Sequence, residues 1–230
     1  GLNEQRSRPA SFDFLGHLLC QPAEEVAKEI EARGARALLI KANVADEEHV
    51  ERMFAEIREH WGGLEILVSN AASGVLKPAT ELTMHHLHWT MDINALALVP
   101  LVQHFLQLPS QGEKVVVAVS SLGAVRAIPN YTAVGASKAA LESMVRHLAC
   151  ELAGKGVRVN AVSAGTVDTD ALKHFPNREQ LLEESRRRTP AGRLITPQDV
   201  ANAVVFLCTE FASMIHGQTI VVDGGYSILA

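Results

Sequence analysis

Cysteine is sparse and scattered in this chain. Cys20, Cys150 and Cys208 are an odd set with no metal-ligand spacing, which excludes a disulfide framework and points to a reducing compartment. Long apolar runs are also missing. None reaches transmembrane length, and no apolar stretch follows a basic start, so neither a membrane span nor a secretory signal is expected. Basic charge is not in excess either. A formal net charge of -5 gives no footprint for nucleic acid or for an anionic membrane. There is no internal repeat, no low-complexity tract and no Pro/Ser-rich linker. A soluble, cytoplasmic, single domain over residues 1–230 is the expectation.

What is present is an alternation of two periods. Val50, Met53, Phe54, Ile57 and Trp61 recur at helical spacing, and "LEILVS" at 64–69 follows as a short apolar run. "KVVVAVS" at 114–120 and "VRVNAVS" at 157–163 repeat that run, and "QTIVVDGG" at 218–225 is similar. Helix-period stretches near 81–107, 131–154 and 197–208 separate them. Helix and strand in turn, with strands rich in Val and Ile, predict an α/β fold: a doubly wound, Rossmann-type parallel sheet with helices on both faces.

In such a sheet ligands bind beyond the carboxyl ends of the strands, so the strand exits hold the candidate site. Three exits are small and polar: "SNAASG" from Ser69, "SSLG" from Ser120 and "SAGTVDTDA" from Ser163. Each alone is weak, because such residues are common wherever a strand ends in a turn. The sharpest local signal is "NYTAVGASKAALE" from Asn130 to Glu142. Pro129 and Asn130 read as a helix start, and Tyr131 and Lys138 then fall two turns apart, within roughly 20° of one face. An ammonium beside a phenol favours the phenolate, so a lowered tyrosine pKa and a better proton donor are expected. A packing tyrosine and a solvated lysine would show the same spacing. His85, His86 and His88 lack a completing carboxylate or thiol, so no metal site is expected. Arg186, Arg187 and Arg188 read first as a solvated helix end.

Taken together, over residues 24–230, these motifs resemble the short-chain dehydrogenase/reductase family. Asn70 in "NAAS", Asn94 in "MDINALA", the stretch "VRVNAVSAGTVDT" and "VVDGG" carry the likeness. The six residues between Tyr131 and Lys138, with "SSLG" upstream, are similar to the bacterial enoyl-acyl-carrier-protein reductases. "DTDALKHFPNRE" from Asp168 to Glu179 and "NAASG" resemble their third, NADPH-using class. The resemblance implies reduction of a trans-2-enoyl thioester on acyl carrier protein or coenzyme A, in fatty acid biosynthesis. NADPH is the implied cofactor, NADH the alternative, and a homotetramer or homodimer the implied assembly.

By the same resemblance Tyr131 is the donor to the thioester oxygen, Lys138 holds the nicotinamide ribose, and Asn94 supports a proton relay. Ser121 is a further catalytic candidate, because the ketoreductase members carry their serine where this chain has Ala118. Asn70, Ala71 and Ala72 would line the cofactor cleft, Gly165, Thr166 and Val167 the nicotinamide, and Thr169 the phosphates. Asn43 and Val44 would flank the adenine. The stretch from Ala171 to about Arg188 would form a lid, and Arg186 to Arg188 would meet an acidic carrier protein.

One part of the pattern is missing. A dinucleotide fold begins with a strand, a glycine-rich turn and a helix N-terminus that receives the pyrophosphate. Residues 1–23 hold only Gly1 and Gly16, with no apolar strand ahead of either. The first strand and phosphate loop are therefore expected to be atypical or absent, through truncation or a shifted reading frame, and cofactor binding to be weak. The competing readings are a carbonyl or 3-oxoacyl reductase of the same family, and a non-catalytic scaffold that has lost its cofactor.

Overall fold

The computed structural model describes residues 23–167 and 178–229. The stretch 1–23, which the sequence pattern leaves without a recognisable element, lies outside them except for its last residue. The chain divides into two compact units, residues 1–41 and 42–230. In the first, a helix over 23–32 (α1) ends at Gly34, whose φ of 85° suits glycine and whose N–H donates to the Glu31 carbonyl at 2.9 Å.

The second unit opens on α2 (Glu47–Trp61). The Asp46 carboxylate accepts from the His49 N–H at 3.1 Å, and Glu47 and Glu48 occupy the positive end of the helix dipole. Gly62, at φ 76°, closes the helix onto the Arg58 carbonyl. Among the described residues four strands follow: β1 (Ile66–Ser69), β2 (Lys114–Ser121), β3 (Val157–Ala164) and β4 (Thr219–Val222). They pair in parallel in the order β1-β2-β3-β4. The expected Val-rich runs are these strands, within a residue or two at most ends.

Alternate residues of the central strands face opposite layers. Val116, Ala118, Val159 and Ala161 pack with Val50 and Phe54 of α2 and with α4 (Leu98–Gln107) and α5 (Thr132–Leu152). Val115, Val117 and Val162 pack instead with Leu207 of α7 (Pro197–Cys208) and with Ala212. Helices thus cover both faces, the doubly wound arrangement that the alternation predicts.

The long helical stretch expected over 81–107 is interrupted. It consists of α3 (Met84–Met91), a π-helical segment (Asp92–Leu96) and α4. Pro100 has no N–H to return to the Leu96 carbonyl, so regular α-helical bonding cannot run through this point. The wider turn, with the Ala97 N–H on the Asp92 carbonyl at 3.0 Å, carries Asn94. Such insertions are frequent where a side chain must be re-aimed. His86 is part of the α3 cap: its Nδ1 accepts from the Thr83 N–H at 3.2 Å, while Thr83 Oγ1 accepts from the His86 N–H. Among the described residues no helix is long and apolar enough to cross a membrane, and no cluster of His, Cys, Asp or Glu is placed to hold a metal.

Candidate active site

The register aligns the ends of β2, β3 and β4, while β1 stops three residues short of the end of β2. Ser69 lies opposite Ala118, Ser121 opposite Ala164, and Ala164 opposite Val222. The polar exits therefore emerge at one edge of the sheet, where a parallel α/β fold leaves room for a ligand. Asn70, Ala71 and Ala72 are exposed there, and Gly165, Thr166 and Val167 are half-buried. Thr169 and residues 171–177 of the expected lid lie outside the described residues.

Tyr131 and Lys138 converge on the end of β2. Tyr131 is the N-cap of α5 rather than a member of its first turn, because Asn130 adopts φ 61° just before it. Asn tolerates this left-handed conformation better than most residues, so the turn is held at modest strain. The Tyr131 hydroxyl donates to Ser121 Oγ at 3.3 Å, and Lys138 Nζ donates to the Val119 carbonyl at 2.7 Å. The structure thus brings tyrosine, lysine and serine to the end of one strand. Ala118 is fully buried in the core and takes no part.

The electrostatics differ from the expectation of a depressed tyrosine. Burial pushes the Tyr131 hydroxyl above its ordinary value, and the Ser121 hydrogen bond only partly opposes this. The phenol stays protonated through the neutral range and is a donor, not a base. Lys138 is 6% exposed, and burial lowers it from 10.5 to about 8. At pH 7 it is still mostly an ammonium.

The Lys138 shift has a stability consequence. Between about pH 8 and pH 10.5 the unfolded chain keeps the lysine proton that the folded chain has released. Folded stability from this group therefore rises with pH across that window, and the cost of the buried charge is fully present below it. Replacing Lys138 by methionine should remove the effect. The difference in urea midpoint, variant minus parent, is expected to shrink as pH rises from 8 to 10.5; a constant difference would mean that Lys138 is not desolvated.

Asn94 is 3% exposed and brackets two elements. Its Oδ1 accepts from the Ser73 N–H at 2.7 Å, and its Nδ2 donates to Ser137 Oγ at 3.0 Å. Ser73 Oγ in turn accepts from Trp89 Nε1 at 2.9 Å. Asn94 thus ties the β1 exit to α5, and sequence reasoning did not foresee Ser73, Trp89 or Ser137. Asn43 and Val44 lie in the turn before α2. There Asn43 Oδ1 accepts from the Ala45 N–H at 3.1 Å and Val44 packs on the core. Thr166 Oγ1 accepts from Ser185 Oγ at 3.1 Å, which links the third exit to α6 (Arg178–Arg188). In α6 Leu182 and Ser185 are buried, so the later part of the expected lid is packed rather than loose. The basic cluster is partly paired: Arg186 meets Glu183 at 3.0 Å, and the Arg188 guanidinium stacks 5.1 Å from the Tyr226 ring centroid.

Comparison with known proteins agrees with this fold. A family described as enoyl-(acyl carrier protein) reductase matches residues 16–227. A 1-cyclohexenylcarbonyl-CoA reductase of Streptomyces collinus is 39% identical over 90% of this chain and 75% of its own length. The NADH-dependent enoyl-acyl-carrier-protein reductase of Aquifex aeolicus has a solved structure that superposes with a TM-score of 0.83 at 32% identity. It covers 90% of this chain and 82% of that one. A 7α-hydroxysteroid dehydrogenase solved with NADH and a 7-oxo bile acid gives 0.83 at 31% identity, covering 88% and 79%.

Proposed function

Because this chain belongs to the short-chain dehydrogenase/reductase family, in the group that the enoyl-(acyl carrier protein) reductase family describes, we propose that it reduces trans-2-enoyl thioesters. The acyl group would be carried on acyl carrier protein or on coenzyme A. The observation that carries the proposal is the convergence of a protonated Tyr131, held by Ser121, and a buried Lys138 on the end of one strand. A reduced nicotinamide dinucleotide, when bound, supplies the hydride that adds to C3 of the substrate. The charge then developing on the thioester oxygen needs a donor already in place, and the Tyr131 O–H provides it. A proton from solvent completes C2.

The residues present fit the nicotinamide end of such a cofactor. Lys138 spends one of three donors on the Val119 carbonyl, which leaves capacity for the ribose hydroxyls. Asn70, Ala71 and Ala72 leave the β1 exit open, and Gly165, Thr166 and Val167 offer backbone groups opposite. Thr169, which the resemblance gives to the phosphates, lies outside the described residues. NADPH is the reading that the resemblance favours, and two of the relatives named above are described with NADH.

The test is to titrate NADPH and NADH while following nicotinamide fluorescence, then add crotonyl thioester and follow absorbance. Turnover with either dinucleotide is expected. Turnover on a ketone but not on the enoyl thioester would replace the proposal by the carbonyl-reductase reading, and binding of neither dinucleotide by the scaffold reading.

The same resemblance places α5 and β4 in contacts between copies, in a homotetramer or homodimer. Two apolar faces support this. Val99, Ala140, Met144 and Leu148 line a groove between α4 and α5, and Phe211 and Met214 near β4 are 82% and 90% exposed. Light scattering should find a multiple of the 24.9 kDa chain mass, reduced by Phe211→Glu. A monomer at micromolar concentration would refute the assembly.

A further inference from the structure

The α5 stripe that faces the sheet contains a charge the reaction above does not use. Glu142 lies one turn beyond Lys138 and is 7% exposed, among Leu141, Val145 and Ala149. Its Oε1 accepts from Ser120 Oγ at 2.6 Å, and Ser120 is itself 4% exposed. Ser120 continues the face of β2 on which Val116 and Ala118 meet the α5 layer. Its neighbours in the strand are Val119, whose carbonyl receives Lys138, and Ser121, whose hydroxyl receives Tyr131. Three consecutive residues of β2 are therefore tied to three residues of one helix and its cap.

We infer that Glu142 is a positioning residue for the reduction: by accepting the Ser120 hydroxyl, its buried carboxylate fixes the strand end on which Lys138 and Tyr131 close. The inference rests on the reductase reading for its kinetic part only. A leucine at this place would fill the same stripe without the cost of burying a carboxylate. What the carboxylate adds is a directed acceptor in the layer between helix and strand. Without it the last residues of β2 keep only the sheet pairing and the Lys138 and Tyr131 contacts themselves, so Val119 O and Ser121 Oγ can drift together with those two side chains. A displacement of about 1 Å at a reacting geometry is enough to cost up to about a hundredfold in rate.

The test uses Glu142→Gln, Glu142→Ala and Ser120→Ala in the full chain. Glutamine keeps an acceptor for Ser120, so kcat should stay within about threefold of the parent. Glu142→Ala should lower kcat by about thirtyfold, with KM for the crotonyl thioester little changed, because the loss lies in alignment rather than binding. Ser120→Ala removes the same tie from the strand side with little loss of volume, and should reproduce that effect even if Glu142→Ala folds poorly. The double variant should lose no more than either single one.

A second readout needs no substrate. The chain has two tyrosines, so in a Tyr226→Phe background the ultraviolet titration of phenolate reports Tyr131 alone. Ser121 on β2 is the polar group described against the Tyr131 hydroxyl, and Gly123 and Gly135 lie beside its ring. Glu142→Ala and Ser120→Ala should raise its midpoint through loss of the Ser121 contact, and Glu142→Gln should not. Variants that melt earlier but keep both kcat and the Tyr131 midpoint would overturn the inference and leave Glu142 a packing residue. If the parent shows no enoyl reduction the proposed function falls, and the tyrosine titration still decides the positioning role.

Discussion

Replacing Tyr131 by phenylalanine is expected to lower crotonyl-thioester turnover by about 10²- to 10⁴-fold, the range for loss of a positioned proton donor, while dinucleotide binding changes by less than about threefold. Phenylalanine keeps the ring that fills the space beside Gly123 and removes only the hydroxyl that donates to Ser121 Oγ. The fold should therefore persist, and the loss should fall on kcat rather than on KM. Because burial keeps the phenol protonated, the parent's rate should not fall on the acidic side of neutrality through this group. Single-turnover kinetics with a saturating dinucleotide makes the measurement. Turnover within about threefold of the parent would remove Tyr131 from the chemistry and leave the oxyanion without its donor.

Gly123→Ala is expected to be nearly as damaging, although it touches no reacting atom. A Cβ at Gly123 would lie 2.6 Å from Tyr131 Cδ1, in hard contact with Cε1 as well, and 3.6 Å from Ile128 Cδ1. The backbone cannot retreat toward α5, because Gly123 itself lies under that helix: a Cβ at Gly135 would stand 2.7 Å from the Gly123 carbonyl oxygen. The tyrosine ring must move, and the 3.3 Å contact with Ser121 goes with it. Overpacking of this kind costs about 1–3 kcal/mol of stability. The displaced hydroxyl should lower kcat by about a hundredfold, with dinucleotide affinity retained. Full activity in a folded Gly123→Ala variant would show that the ring is free to shift without consequence, and would weaken the assignment of Tyr131 together with this prediction.

Much of the scaffold was legible in the residue pattern. "KVVVAVS" and "VRVNAVS" are continuous apolar runs because both faces of a central parallel strand are covered, and β2 and β3 lie where those runs do. Helix α7 begins at Pro197 and ends at Cys208, as its period and its Thr196 cap indicate. The break within 81–107 was less legible. Pro100 was visible, but its effect depends on how a helix already committed on its N-terminal side accommodates a missing donor. Of the site, the motif carried Tyr131, Lys138, Asn94 and Ser121. It did not carry Ser73, Ser137, Ser120 or Glu142, because their partners are 16 to 43 residues away and no local period encodes such a pairing.

The direction of the tyrosine shift was read wrongly for a related reason. Two side chains on one helix face are close in angle, but their charges act through the medium around them. Here Lys138 turns to a backbone carbonyl and the phenol is surrounded by protein, so desolvation outweighs attraction. Sequence alone determined the kind of layers in the second unit, the strands whose ends carry the chemistry, and the side-chain types available there, because periodicity and strand polarity are local properties. Only the tertiary structure decided which hydroxyl each donor meets, which charges are buried and what those charges cost, because these depend on contacts between segments distant along the chain.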